Sequence, residues 1–174
     1  FDDAPFKRDD DVTGVAGVVS RSEVFEGLLW EDIVVDGLDA TETLESMVTA
    51  SQFSDQLDCV LLDGIAFGGF NVVDVPKLTR LLDVPCVTIM RSRPNWDAIE
   101  DALSHVSKSA ERLSAMRRAG PVYEGDRVYY QVCGTGQESA RVALNRLTIR
   151  GNIPEPVRVA HLVASGVKTG ASKA

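Results

Sequence analysis

The sequence predicts an α/β fold built on one mixed sheet: an antiparallel meander of three strands, then parallel strands, flanked by helices. Three observations carry this. Apolar strand-like runs follow one another without a helical pattern between them as far as residue 35. After residue 38, stretches with helical spacing alternate with short apolar runs, which is the signature of parallel additions to a sheet. Several of the apolar runs end on an aspartate, most clearly Leu61-Leu62-Asp63-Gly64. A carboxylate at the end of a central strand, followed by a glycine-rich loop, is where α/β sheets place chemistry.

The elements follow in order. Asp2 and Asp3 sit at a strand's end, because Pro5 cannot continue a central strand. Residues 7–11 form a charged turn. Residues 14–20 read as a strand, residues 24–30 extend the sheet after a turn, and Ile33-Val34-Val35 is a third strand ending on Asp36-Gly37. Asp39 or Thr41 can N-cap the helix that follows, with Leu44, Met47 and Val48 on its buried face. Residues 58–62 form the fourth strand. Residues 75–82 fit a short helix, with Pro76 in the first turn where its missing N–H costs nothing. Residues 85–90 form a fifth strand ending at Arg91. Residues 94–118 read as helical, with Trp96, Ile99, Leu103 and Val106 on one stripe, until Gly120-Pro121 breaks the pattern. Residues 122–123 and 128–133 are strands around a turn. Residues 137–150 are a helix closed by Gly151. Pro154-Glu155-Pro156 opens the last helix, which carries Val159, Leu162 and Val163.

The chain has 174 residues, 44% of them apolar, which suits a single domain over 1–174 with 168–174 as a flexible tail. No run is long and apolar enough to span a membrane. No signal-peptide pattern is visible, and the chain opens inside a strand, so an earlier start is expected. Cys59, Cys86 and Cys133 all lie in apolar runs. An odd number without a Cys-x-x-Cys pair argues against a disulfide framework or a zinc site, and reads as reduced core residues in a cytoplasmic protein. The net charge of −8 disfavours nucleic acid on its face, but its distribution does not. Residues 1–90 carry 18 acids against 5 bases, and residues 91–174 carry 13 bases against 8 acids. An acidic first half and a basic second half suit a metal centre flanked by a phosphate-binding surface.

Asp2, Asp3, Asp36, Asp39 and Asp63 all fall just after apolar runs. If those strands are neighbours, the carboxylates converge at one edge of the sheet. They then repel one another unless a cation intervenes. Oxygen ligands select a hard ion, so Mg²⁺ or Mn²⁺ is the implied cofactor. Metal clusters of this kind cut phosphodiesters by activating water and stabilising the leaving oxygen. Asp36 and Asp39 can equally cap turns. Arg91, Arg93, Arg150, Arg158 and His161 supply counterparts in the basic half, with His161 as a metal neighbour or phosphate contact.

These motifs resemble a known family. The order of strand ending in Asp, meander, helix, and strand ending in Asp-Gly is the plan of the ribonuclease-H-like fold. The wording is similar to endonuclease V, including Pro154-Glu155-Pro156-Val157-Arg158-Val159-Ala160-His161 near the end. It is closer still to an archaeal offshoot, the domain-of-unknown-function family ninety-nine (endonuclease dU). The motifs are Asp2-Asp3-Ala4-Pro5-Phe6, Val35-Asp36-Gly37-Leu38-Asp39-Ala40-Thr41, Asp63-Gly64-Ile65-Ala66-Phe67-Gly68-Gly69-Phe70-Asn71 and Arg150-Gly151-Asn152-Ile153-Pro154-Glu155-Pro156.

The resemblance implies a Mg²⁺-dependent endonuclease acting on DNA, with RNA as the alternative, near deaminated bases (deoxyuridine or deoxyinosine) in DNA repair. It implies that Asp2 and Asp63 hold the metal, with Asp39 or Asp36 as third acid. Arg91 would face the scissile phosphate and His161 would stand beside the metal. Gly64, Gly68, Gly69, Asn71, Arg93 and Arg158 would line the substrate, with residues 64–71 as the wall of a base pocket. The endonuclease V wedge that opens the duplex has no counterpart in residues 26–33. The competing reading from another class is a nucleic-acid-binding protein that keeps this fold without catalysis.

Overall fold

The computed structural model describes residues 1–7, 9–22 and 24–173. The meander is present, but its strands are divided differently from the sequence expectation. It consists of β1 (Asp2–Asp3), β2 (Val12–Arg21) and β3 (Val24–Val34), paired antiparallel in the order β1-β2-β3. Residues 24–35 thus hold one long strand where two were expected. The acids Glu31 and Asp32 between the two expected strands sit exposed on β3 and need no turn. A register shift between Val19 and Ser20 marks a bulge near the far end of this hairpin. In the charged turn, the Asp10 amide donates to the Lys7 carbonyl at 3.0 Å. Arg8 of that turn lies outside the described residues.

A second sheet contains β4 (Val60–Asp63), β7 (Cys86–Met90), β8 (Tyr123–Glu124) and β9 (Tyr129–Cys133), in the order β4-β7-β9-β8. β4 and β7 run parallel, and β9 is antiparallel to β7. The two sheets meet at β1 and β4. The Phe1 main-chain nitrogen donates to the Leu61 carbonyl at 2.7 Å, and the Asp63 amide donates to the Phe1 carbonyl at 2.9 Å. That pair of bonds is the parallel-ladder pattern, and it sets Asp2 beside Asp63. Between β4 and β7 the chain makes a small hairpin, β5 (Ala66–Phe67) and β6 (Asn71–Val72), with residues 68–70 at its tip.

Helices cover both faces. On one face, α1 (Ala40–Thr49) and α2 (Val75–Leu82) bury Leu44, Met47, Val75 and Leu78 against Val60, Leu62 and Cys86. On the other, α5 (Gln137–Leu147) and α6 (Glu155–Thr169) bury Ala140, Leu144 and Val157 against Leu61, Val87, Ile89 and Tyr130. The alternation along β4 follows the two-residue period of a strand covered on both sides. Residues 94–118 hold two helices, α3 (Trp96–Leu103) and α4 (Ser109–Arg118), because Lys108 takes a left-handed conformation (φ 56°) between them. α5 ends at Leu147, before the Gly151 stop that the sequence suggested. In α6 the buried seam is Val157, Ala160 and Ala164; Val159, Leu162 and Val163, which the sequence places on this helix, are half-buried around it. Small residues win that seam because they let α6 approach Ala4 and Ala16 closely. Lys168 and Thr169 of the expected tail are helical, and Ala174 lies outside the described residues. No described helix is long and apolar enough to cross a membrane.

Candidate metal centre

The strand ends place the chemistry. Side chains on β1 alternate, so Asp2 points toward α6 and Asp3 toward the β5–β6 hairpin. Asp2 is opposite Ala16, which packs with Ala164 of α6. The Asp2 carboxylate takes the Asp3 amide at 2.9 Å and meets His161 Nδ1 at 2.8 Å. His161 follows Ala160, so the small-residue seam that docks α6 also delivers the imidazole to β1. Asp63 closes β4 on the same face as Asp2. Arg91 lies two residues beyond Ile89, the parallel partner of Asp63, and therefore on that face as well. Its guanidinium grips Asp63 bidentately, at 2.8 and 2.9 Å.

Ligand atoms of Asp2, Asp63 and His161 all lie within 4.8 Å of one another. They border an open depression that Gly64, Arg91 and Ala4-Pro5-Phe6 also line. Burial raises the Asp2 carboxyl to about 6, and the neighbouring Asp63 charge adds to the effect. Burial likewise pushes Asp3 up, against the Gly68 amide, which favours its charged form. Two carboxylates and an imidazole with one common centre fit a divalent cation, since each ligand atom could reach a shared ion with small side-chain shifts. A cation there would relieve the unfavourable charge that lifts Asp2.

The other expected site residues lie elsewhere or are already engaged. Asp39 does not reach the centre: it accepts the Asn71 side-chain amide at 2.6 Å and the Val34 amide at 3.3 Å. Asp36, in a left-handed turn (φ 51°), accepts the Phe70 amide at 2.7 Å. Neither belongs to the converging set: from the turn before α1 they take donors from the β5–β6 hairpin and the end of β3, away from Asp2 and Asp63. Asn71 does not face substrate. It is fully buried and bonds Val34 and Asp39 through its nitrogen and the Ala40 amide through its oxygen, at 3.0 Å. Arg158 is held by Glu155, whose carboxyl its guanidinium pulls down to about 2, and so points along its own helix. Arg93 is exposed beyond β7. Of the residues expected in the wall, Gly64 borders the depression, while Gly68 and Gly69 turn back toward Asp3 and Asp36. The sequence reading missed Arg112, an arginine of α4 that is 2% exposed. In Ser-Ala-Glu-Arg-Leu-Ser-Ala-Met-Arg-Arg it looks like one more solvated base, and no local signal marks it.

A larger cleft of 820 Å³ lies between the far half of β2, the start of β4 and α5, on the other side of Phe1. It has the volume for a ligand, but none of Asp2, Asp63 and His161 lines it. Among the described residues, only Asp2, Asp63 and His161 gather as a possible metal set.

Residues 1–168 match the family model described as endonuclease dU. The chain belongs to the endonuclease dU family. Its relatives in this family include a UPF0215 protein of Methanosarcina barkeri, 40% identical over 91% of this chain and 84% of the relative. Another UPF0215 protein, of Methanopyrus kandleri, is 38% identical over 99% of this chain and 91% of its own length. A crystal structure of an Archaeoglobus fulgidus protein of unknown function superposes with a TM-score of 0.90 at 36% identity, covering 95% of this chain and 94% of that one. Endonuclease V of Ciona intestinalis, solved with DNA containing an inosine, shares the fold: TM-score 0.59, 16% identity, 91% of this chain and 80% of that chain. The ribonuclease-H-like plan expected from the strand order is therefore the fold of this endonuclease dU family member.

Proposed function

We propose that this protein is a divalent-metal-dependent endonuclease that cuts DNA phosphodiesters near deaminated bases. The observation that carries the reading is the convergence of Asp2, Asp63 and His161 within 4.8 Å at the edge of the sheet. The family's description and the shared fold with an inosine-DNA endonuclease V support it. Asp2, Asp63 and His161 would hold Mg²⁺ or Mn²⁺. When bound, the ion supplies an activated water and charge stabilisation for the leaving oxygen.

The chain's own residues do the rest. Arg91 reaches past Asp63 into the depression with its side chain 59% exposed, placed to offset charge on a phosphoryl oxygen. Arg91 would hold Asp63 in place beside the ion while its exposed guanidinium stays available to a phosphate. Asp2 meets His161 Nδ1 at 2.8 Å, which orients the imidazole beside Asp63. The open shape of the depression suits a polymer running across it. Base selection would fall to the β5–β6 hairpin beside Asp3, with the nucleotide rotated out of the duplex.

The test uses labelled duplexes containing deoxyuridine, deoxyinosine or ordinary bases, incubated with Mg²⁺, Mn²⁺ or EDTA. Wild type should cut a modified duplex only with metal, and Asp63→Asn should not. Equal cutting by Asp63→Asn, or no cutting of any substrate with metal, overturns the assignment. Binding without cleavage would favour the non-catalytic alternative.

A further inference from the structure

We propose that Arg112 is a positioning residue: its buried guanidinium locks the turn before α1 to the tip of the β5–β6 hairpin, so that this hairpin stands beside the metal centre as a preformed shoulder. Arg112 has no carboxylate partner among the described residues. Its Nη1 donates to the Gly37 carbonyl at 2.7 Å and to the Phe70 carbonyl, its Nη2 to the Asp36 carbonyl at 2.6 Å, and its Nε to the Ser107 carbonyl at 2.8 Å. A buried charge is tolerable only when its donors are satisfied, and here four main-chain dipoles do that. A guanidinium is also the side chain whose fixed fork can reach several carbonyls at once.

The two segments it joins are bonded to each other as well. The Asp36 amide donates to the Gly68 carbonyl at 2.8 Å, and Asp36 Oδ1 accepts the Phe70 amide at 2.7 Å. Gly68 and Gly69 both have positive φ, 53° and 88°, and a Cβ on Gly69 would strike the Asp36 carboxylate. At the far end the Gly68 amide donates to Asp3 Oδ2 at 2.9 Å. The connection therefore runs from α4, through the hairpin tip, to the residue next to Asp2. Asp3 and Asp36 are anchors for the loop's amides, which gives the two adjacent acids Asp2 and Asp3 separate duties on opposite faces of β1. A tip tied at both ends has little freedom to close on substrate, so recognition relies on a wall already in place.

The consequence for substrate rests on the endonuclease reading; the clamp itself does not. Arg112→Lys keeps the charge but offers one nitrogen in place of three, and Asp36→Gly removes the carboxylate while keeping the left-handed turn. In the full-length protein, hydrogen exchange at the Gly68 and Phe70 amides should rise about tenfold in both variants, while β4 amides are unchanged. Asp36→Asn, which keeps an acceptor, should stay near wild type. KM for a duplex with one deoxyuridine should rise about tenfold with kcat within about threefold, and calorimetric Mn²⁺ affinity should hold. Unchanged exchange at Gly68 and Phe70, or faster exchange without a KM change, overturns the proposal. Should Arg112→Lys not fold, Asp36→Gly decides by the same readouts. Should wild type cut nothing, the endonuclease reading falls, and the exchange comparison alone decides whether Arg112 clamps the hairpin.

Discussion

Two acidic, glycine-punctuated regions lie side by side in this protein and have opposite chemistry. At the β1–β4 edge, Asp2 and Asp63 are largely buried themselves but sit with the exposed side chains of His161 and Arg91 around a depression open to solvent. Around the turn before α1, Asp36 and Asp39 accept hydrogen bonds from Phe70, Asn71 and Val34, over a buried Arg112. The difference is one of donors. Where main-chain amides and a side-chain amide reach a carboxylate first, it becomes a brace. Where the sheet's edge leaves carboxylates facing each other, they become ligands. An acid after an apolar strand is compatible with both outcomes.

The sharpest break in this comparison comes from removing one carboxylate on the open side. Asp63→Asn should lower single-turnover cleavage by at least about a hundredfold, as loss of a main charge-bearing group does, while thermal unfolding shows the fold intact. On the braced side, Asn71→Ala should show the reverse. It strands the Ala40 amide, the Val34 carbonyl and Asp39, so denaturant unfolding should report a loss of about 3 kcal/mol, with cleavage per folded molecule near wild type. If Asn71→Ala instead lost Mn²⁺ affinity without losing stability, the division between the regions would be wrong.

His161→Ala should weaken Mn²⁺ binding by about tenfold in calorimetry, because it removes one of three converging groups and the partner that orients Asp2. The smallest effect belongs to Glu155. Its carboxyl is held down to about 2, chiefly by Arg158. A depressed acid stabilises the fold above its unfolded value and loses that contribution as pH falls through the folded one. The stability gap between wild type and Glu155→Gln, followed by denaturation, should therefore persist above pH 4.5 and shrink between pH 4.5 and about 2.

Much of the fold was legible because burial imposes periodicity. Leu44, Met47 and Val48 announced α1, Val75 to Leu82 matched α2 to the residue, and Leu61-Leu62-Asp63 marked a strand with its acid at the end. The seam of α6 was not marked in advance, because hydrophobicity draws the eye to Val159 and Leu162, whereas the small Ala164 packs on Ala4 and Ala16. The break between α3 and α4 was missed because a left-handed Lys108 has no sequence signature of its own.

By itself the sequence determined an antiparallel opening, helices alternating with later strands and the candidate acids, and it marked His161 as a partner for them. Local pattern and strand ends are written residue by residue. Which acids act as ligands was decided only by the tertiary structure. The β1–β4 ladder sets Asp2 beside Asp63, the small-residue seam brings His161 across 159 positions of sequence, and Asn71 and Arg112 occupy the turn that holds Asp36 and Asp39. A carboxylate's role depends on which donors reach it, and those donors come from parts of the chain that no local pattern connects.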